Sequence, residues 1–300
     1  MLSICIPIYN FDCSALVDDL LRQVSQLKEE VEIIVIDDAS KPEFRQKLAE
    51  LNSKVNSIQL KENIGRSRIR NLLAEKAMNK YLLFIDGDSS IVSENFVKNY
   101  IELLKRGQFS MVICGGSVYQ IETPDKEYIL RWKYSKSREQ KSKSFLKKHP
   151  YQSFTTNNFI IDKEIFQSIL FDEKIEEYGH EDTLFGFELM KKKVSIQHVE
   201  NVVLNGDLDT NMEYLNKVKL SISNLLKIAN NLEYDREFIR LIPLLKVYFQ
   251  LKLFGFEIFL GIWFRLNRNR LEGKFKQGRV NLTSFDLYRL GVLSTLFKRS

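Results

Sequence analysis

Residues 81–90 read Y-L-L-F-I-D-G-D-S-S. Tyr81–Ile85 is an apolar run of strand length, rich in aromatic and branched side chains, the composition of a strand buried on both faces in a parallel sheet. The run stops at Asp86-Gly87-Asp88. Side chains two apart on an extended backbone point the same way. Asp86 and Asp88 can therefore face one spot just past the carboxyl end of the strand, the edge where open α/β sheets bind ligands. Gly87 leaves room for a ligand close to the backbone. Two hard oxygen donors are too few to cage an ion alone; they suit Mg²⁺ or Mn²⁺ completed by water and a diphosphate. A strand ending in a plain Asp/Gly turn accounts for the same residues, so neighbouring stretches have to decide.

Upstream, Leu2–Ile8 reads as a short strand ending in Pro7, Tyr9 and Asn10. Ser14–Lys28 carries Leu16, Leu20, Leu21, Val24 and Leu27 at helical spacing, with Asp12 or Ser14 able to cap it. Val31–Ile36 is a second buried strand, ending in Asp37-Asp38. A helix over Glu43–Leu51, a strand over Ser57–Leu60, a turn at Asn63–Arg66 and a helix over Ser67–Asn79 follow. Strand–helix alternation predicts a parallel sheet with right-handed crossovers. Two strands then end in acidic pairs on one rim, and such carboxylates repel unless something cationic or hydrogen-bonding sits there. A nucleotide base with N–H donors and a divalent cation would satisfy both.

Downstream, the spacing predicts a helix over Ser93–Arg106 and a strand within Gln108–Tyr119, where Gly115-Gly116 offers a backbone approach to a ligand. Arg131–Lys148 breaks the alternation and is expected as a mobile loop, because like charges repel. It reads as an acceptor lid, a lipid contact or a solvated loop. Ser153–Ile161 runs from polar residues into a strand, with Asn157 and Asn158 as partners for ligand hydroxyls or as turn amides. Leu184, Phe185, Leu189 and Met190 mark a helix face, which puts Glu181 and Asp182 in its first turn. Acidic residues favour helix N-termini through the dipole; the same field keeps a carboxylate ionised, as a general base requires. His198, within strands over Val194–Leu204, is expected to be a hydrogen-bonded structural residue. Helices are expected over Met212–Ile228 and in the tail.

The 300 residues carry a net charge of +6, unevenly spread. Arg131–Lys148 has eight Lys/Arg against one Glu, and Arg240–Ser300 twelve against three acidic residues, so the rest of the chain is net −10. Uniform basicity would point to nucleic acid; this layout points instead to an anionic membrane surface, with no nucleic-acid partner expected. Three scattered cysteines fit reduced cytosolic thiols, not a disulfide framework or zinc site. The short N-terminal apolar run lacks a basic region before it and is not expected to be a signal peptide. Ile239–Leu266 is apolar and aromatic but carries Lys246, Lys252 and Glu257, which argues against a spanning helix. Interfacial helices, a helical cap or a dimer contact fit it. The oligomeric state is left open.

Four elements, S-I-C-I-P-I-Y-N (3–10), I-I-V-I-D-D-A-S (33–40), N-I-G-R-S-R-I-R-N (63–71) and L-F-I-D-G-D-S (83–89), match a family in order and spacing. The chain resembles, from about Leu2 to Ile228, a glycosyltransferase family 2 enzyme with the GT-A fold, of the inverting, bacterial polysaccharide or glycolipid type. The resemblance implies that Pro7 and Tyr9 line the nucleotide pocket, that Asp38 binds the base, and that Arg70 and Gly87 lie near the nucleotide. It makes Asp86 and Asp88 the D-x-D pair, with Asp88 the more direct contact to Mn²⁺ or Mg²⁺. Arg66 and Arg68 are expected to be solvated. Glu181-Asp182 resembles the E-D motif, which implies Asp182 as general base and Glu181 as an acceptor-binding neighbour. Relatives commonly show N-P-V-x-H-x-G-L-E where this chain reads N-V-V-L-N-G-D-L-D (201–209), so Asn205 replaces a His and a third metal ligand is in doubt.

The expected fold class is therefore α/β, a GT-A, Rossmann-like, mostly parallel sheet flanked by helices, with a basic helical C-terminal extension. The expected domains are 1–232, with a donor half 1–119 and an acceptor half 120–232, followed by a membrane-associating region 233–300. The implied reaction moves a sugar from a nucleotide-sugar, UDP-linked by preference, to a hydroxyl of a glycan or lipid-linked acceptor. The implied place is the inner face of a bacterial cell membrane, with the protein cytoplasmic and peripheral. A sugar nucleotidyltransferase would need a Gly-rich phosphate loop with Lys or Arg near the first strand, and Leu2–Asp12 has neither. A catalytically inactive GT-A glycan-binding or scaffold module is favoured by Asn205 alone.

Overall fold

A computed structural model describes residues 1–51, 54–107, 112–175, 177–206 and 208–297. Asp207, Lys298–Ser300 and the first four residues of the Gln108–Tyr119 stretch lie outside the described residues. In chain order the elements are β1 (Leu2–Ile8), α1 (Ser14–Val24), β2 (Val31–Asp37), α2 (Pro42–Leu51), β3 (Asn56–Gln59), α3 (Gly65–Lys76), β4 (Tyr81–Ile85) and β5 (Ser90–Ile91). Then come α4 (Phe96–Lys105), β6 (Val112–Cys114), β7 (Ser117–Val118), α5 (Ile129–Tyr134), α6 (Lys143–Lys148), β8 (Asn158–Asp162), α7 (Lys163–Ile169), α8 (Glu181–Lys191), β9 (Ile196–His198) and β10 (Val203–Leu204). The chain closes with α9 (Asn211–Asn231), α10 (Arg236–Leu241), α11 (Pro243–Leu253), α12 (Phe256–Lys276) and α13 (Leu282–Phe297).

The chain divides into two compact units. The first comprises Met1–Gln120, Lys141–Glu176 and Glu181–Asp207. Its main sheet has the order β3-β2-β1-β4-β8-β6-β9, and a small sheet has the order β5-β10-β7. The pairs β1/β2, β1/β4, β2/β3 and β6/β9 are parallel, while β8 runs antiparallel between β4 and β6. Side-chain alternation builds a core on each face: β4 sends Leu83 and Ile85 to one, Leu82 and Phe84 to the other. This is the two-sided burial that the Tyr81 run predicts. The three cysteines are free and buried.

The second unit comprises Ile121–Gln140, Glu177–His180 and Leu208–Ser300. Thr210 caps α9 through a reciprocal capping box with Glu213. The long helix α12 packs on α13, where Gly291 lies under the Phe264 ring so closely that a β-carbon there would come within 2.3 Å of it. Glu272 accepts from Arg268 and Tyr288 and pairs with Lys219 at 3.0 Å. Burial opposes ionisation of Glu272, but these three partners outweigh it and bring its pKa down to about 2.

Arg131–Lys148 is not the expected loop. It forms α5, a π-helical turn over Ser135–Glu139, and α6. The repulsion is relieved by Glu139 within the segment and by partners distant in sequence. In the second unit Arg131 bonds Glu139 at 2.6 Å and lies over the Tyr214 ring, while Arg138 bonds Asp286 at 2.8 Å. In the first unit Lys143 bonds Glu200 at 2.5 Å.

Candidate functional site

The carboxyl ends of β1, β2 and β4 place the predicted residues in the first unit. β1 ends beside Tyr9, which is 56% exposed. Its neighbour Asn10 adopts a left-handed φ of 52° and accepts from Lys41 N at 2.9 Å, which holds the β1 and β2 ends together. At the end of β2 the two acids split their tasks. Asp37 accepts from Ser40 N at 3.2 Å and closes its own turn. Asp38 accepts from Ile64 N at 2.6 Å and Gly65 N at 3.0 Å, the amides that open α3. Any base bound by Asp38 has to share a carboxylate already anchoring that helix.

Gly65, with φ +84°, lets the chain turn into α3, and that helix carries Arg66 and Arg70 one turn apart. Arg70 is buried and donates through Nη2 to Asp86 Oδ1 at 2.6 Å. Its Nη1 donates to Arg66 O at 3.2 Å. Arg66 reaches Glu181, the first residue of α8, with Nη1 3.4 Å from Oε1. Arg66 and Arg68 are both exposed, as a solvated helix face requires, yet each also meets an acid: Arg66 pairs with Glu181, 115 residues away, and Arg68 lies 3.8 Å from Glu173. Helix α3 thus connects the Asp38 rim, the first aspartate of the D-x-D pair and the E-D motif.

Asp86-Gly87-Asp88 follows β4 directly. A β-carbon on Gly87 would meet Pro7 O at 3.0 Å, so a larger residue would crowd the end of β1 there. On the other side a β-carbon on Gly206 would lie 1.9 Å from Asp88 O. Backbone therefore packs on backbone where Gly206, the residue after Asn205, meets Asp88. Asn205 donates to Tyr119 Oη at 3.2 Å. Sequence reasoning missed Gly206 and Arg66; the Asn-Gly pair at 205–206 and the one-turn spacing to Arg70 were the available signals.

A divalent cation fits this donor set in part. Asp88 and Asp86 supply hard oxygens, and Asp86 Oδ1 is taken by Arg70. Among the described residues no cluster of three or more His, Cys, Asp or Glu could hold an ion. That set suits a cation which also takes oxygens from water and a diphosphate.

Asp182 sits in the first turn of α8, and its Oδ1 accepts from Thr183 N at 2.6 Å and Thr183 Oγ1 at 3.2 Å. Burial, and then the adjacent Glu181 charge, push its pKa up to about 6, against the pull of these hydrogen bonds and of Arg66. A carboxylate poised there is a better proton acceptor near neutral pH than an ordinary one.

Two other expectations change. Asn158 is buried, accepts from Tyr100 Oη at 2.7 Å and donates to Gly116 O at 2.9 Å and Asn201 O at 2.8 Å. It is a buried structural amide whose two N–H donors are both used within the fold. Gly115 fits against the same network, where a β-carbon would meet Tyr100 Oη at 2.0 Å, so it serves packing and not donor approach. His198 Nε2 lies 3.0 Å from Pro150 O, as a structural histidine should.

The family model described as glycosyl transferase family 2 matches residues 3–170, more than half of the chain. The chain belongs to glycosyl transferase family 2. A curated relative, an uncharacterized glycosyltransferase of Haemophilus influenzae, is 26% identical over 136 residues, which is 42% of this family 2 chain and 54% of the relative. The chain thus spans about half the length of the curated relative it matches. Among solved structures it is similar to the mannosyltransferase PcManGT from Pyrobaculum calidifontis in complex with GDP-Man and Mn²⁺ (TM-score 0.55, 11% identity, 99% of this chain and 86% of that one). It is also similar to S. aureus TarS 1-349 in complex with UDP-GlcNAc (TM-score 0.50, 15% identity, 99% and 91%). A third is glucosyl-3-phosphoglycerate synthase from Mycobacterium tuberculosis with Mn²⁺, UDP and glucosyl-3-phosphoglycerate (TM-score 0.50, 13% identity, 76% and 79%). These likenesses give the GT-A fold, as the resemblance of the four sequence elements implies.

Proposed function

We propose that this chain is a metal-dependent inverting glycosyltransferase that moves a sugar from a UDP-sugar to a hydroxyl of a glycan or lipid-linked acceptor in bacterial surface polysaccharide synthesis. The observation that carries the reading is the geometry around α3. One helix ties the D-x-D carboxylate Asp86, through Arg70, to Glu181 beside Asp182, through Arg66. Donor and acceptor carboxylates are thereby fixed to one scaffold. The uridine nucleotides in two of the three similar structures favour UDP, and the Mn²⁺ in two of them favours a divalent cation.

In this reading Pro7, Tyr9 and Asp38 take the nucleoside, and Asp88 with Asp86 would hold the cation. When bound, the cation supplies positive charge to the diphosphate leaving group. Asp182 accepts the proton of the acceptor hydroxyl. The hydroxyl oxygen attacks the anomeric carbon from the face opposite the diphosphate. As the new C–O bond forms, the bond to the diphosphate breaks and its electron pair leaves with the nucleoside diphosphate. Glu181, paired with Arg66, orients the acceptor. Attack from the opposite face inverts the anomeric centre, so an α-linked UDP-sugar should give a β-linked product. Proton NMR of the product's anomeric coupling reads this directly, and retention of configuration would overturn the single-displacement reading.

A further inference from the structure

The second unit carries an apolar surface that the transfer chemistry does not use. Helices α11 and α12 meet at Phe254-Gly255, where Gly255 takes φ +72° and the chain turns by 114°. Around this corner Leu253, Phe254, Phe256, Phe259, Ile262 and Leu266 are exposed, Leu253 by 79% and Leu266 by 80%. They are not the surplus of a helix without an inside. Gly261, Phe264, Leu271 and Phe275 form the buried stripe of α12, and Phe264 packs under α13. At 100° per residue, Phe259, Ile262 and Leu266 fall on the opposite side. An apolar cluster of this size on a folded surface marks an interaction site.

Its borders are cationic. Lys246, Lys252, Arg265, Arg268 and Arg270 are all exposed. Arg265, Arg268 and Arg270 stand at the far end of the apolar stretch, about 6 Å along the helix from Leu266 to Arg270. Between Pro243 and Arg270 the sole acidic residue is Glu257, and it is half-buried. No single described helix is long and apolar enough to cross a membrane.

We propose that the α11–α12 corner inserts into one leaflet of an anionic lipid membrane, with its aromatic tip at the acyl boundary and its basic collar among the headgroups. Apolar burial and attraction to anionic headgroups are the two contributions such interfacial helices combine. The charge pattern selects lipid over a second copy of this chain. A two-fold contact through this corner would bring two basic collars together, and like charges facing each other across an interface are unfavourable. An anionic surface accepts both the apolar tip and the collar.

Trp263, on the flank of the patch, is one of two tryptophans in the chain, so Trp132→Phe leaves it as a single reporter. The full chain is mixed with vesicles of phosphatidylglycerol and phosphatidylcholine, or of phosphatidylcholine alone. Trp263 emission should shift to the blue and be quenched by brominated acyl chains on the anionic vesicles, with weaker binding in high salt. The triple variant Phe254→Ser, Phe259→Ser, Leu266→Ser should keep its melting temperature, because these side chains are exposed, and lose at least about tenfold in vesicle partitioning. An unshifted Trp263 would overturn the proposal. So would equal binding by the triple variant, which means headgroup attraction alone, or a concentration-dependent dimer that the triple variant abolishes.

Discussion

Asp182→Asn is expected to fold, to bind donor normally and to lose at least about a hundredfold in kcat, the low end of what a general base contributes. In-line displacement needs a proton acceptor on the acceptor side. Asp38 is bonded to the Ile64 and Gly65 amides and Asp86 to Arg70, while Glu181 is paired with Arg66. Burial raises the pKa of Asp38, but its carboxylate is committed to the amides that open α3. Burial and the neighbouring Glu181 charge raise that of Asp182 to about 6. The reaction needs its ionised form, so kcat should rise with pH up to about 6 and level off above it. The same shift separates a catalytic residue from a helix cap. A carboxyl whose pKa rises from 3.8 to about 6 on folding makes the fold less stable as pH increases through that window. Replacing it with Asn removes that cost, so thermal melting at neutral pH should show no loss. Normal kcat, or a collapse of stability, would make Asp182 structural and leave Glu181 as the next base to test.

Asp88→Ala is expected to reduce transfer by two orders of magnitude or more while leaving the fold intact. A bound cation contributes several kcal/mol of charge stabilisation to a departing diphosphate, and each ~1.4 kcal/mol is about tenfold in rate. Asp88 is the carboxylate to remove because Asp86 is spoken for by Arg70, which is buried and would be left without its acid in an Asp86 variant. The measurement is turnover across a Mn²⁺ and Mg²⁺ titration, with urea unfolding as the control. Near-normal transfer in Asp88→Ala, with no response of the native chain to chelator, would reject the D-x-D assignment.

What could be read from the sequence was what local pattern encodes. The Tyr81–Ile85 run announced a strand buried on both sides, and the strand–helix alternation up to β4 announced the parallel half of the sheet. The aspartates at strand ends were legible because a turn at a sheet edge is a local event. What escaped depends on partners remote in sequence. Arg131–Lys148 looked too charged to order, since its partners Tyr214 and Asp286, and Glu200 for the α6 end, lie far downstream. Asn158 looked available because nothing nearby reveals that it bonds Tyr100, Gly116 and Asn201 in the core. Arg66 is solvated as expected, but its pairing with Glu181 escaped because that acid is distant along the chain. The tail's apolar content was visible; which of its side chains face outward was not, since that follows from the packing of α12 on α13.

The most direct test is nucleoside diphosphate release by the intact chain, incubated with a panel of UDP- and GDP-sugars and simple glycan acceptors, with Mn²⁺ or Mg²⁺ and then with chelator. The account predicts release with at least one UDP-sugar, dependent on the cation and lost in both Asp88→Ala and Asp182→Asn. Cation-independent release, release undiminished in those variants, or pyrophosphate formed instead from a sugar phosphate and a nucleoside triphosphate would contradict it.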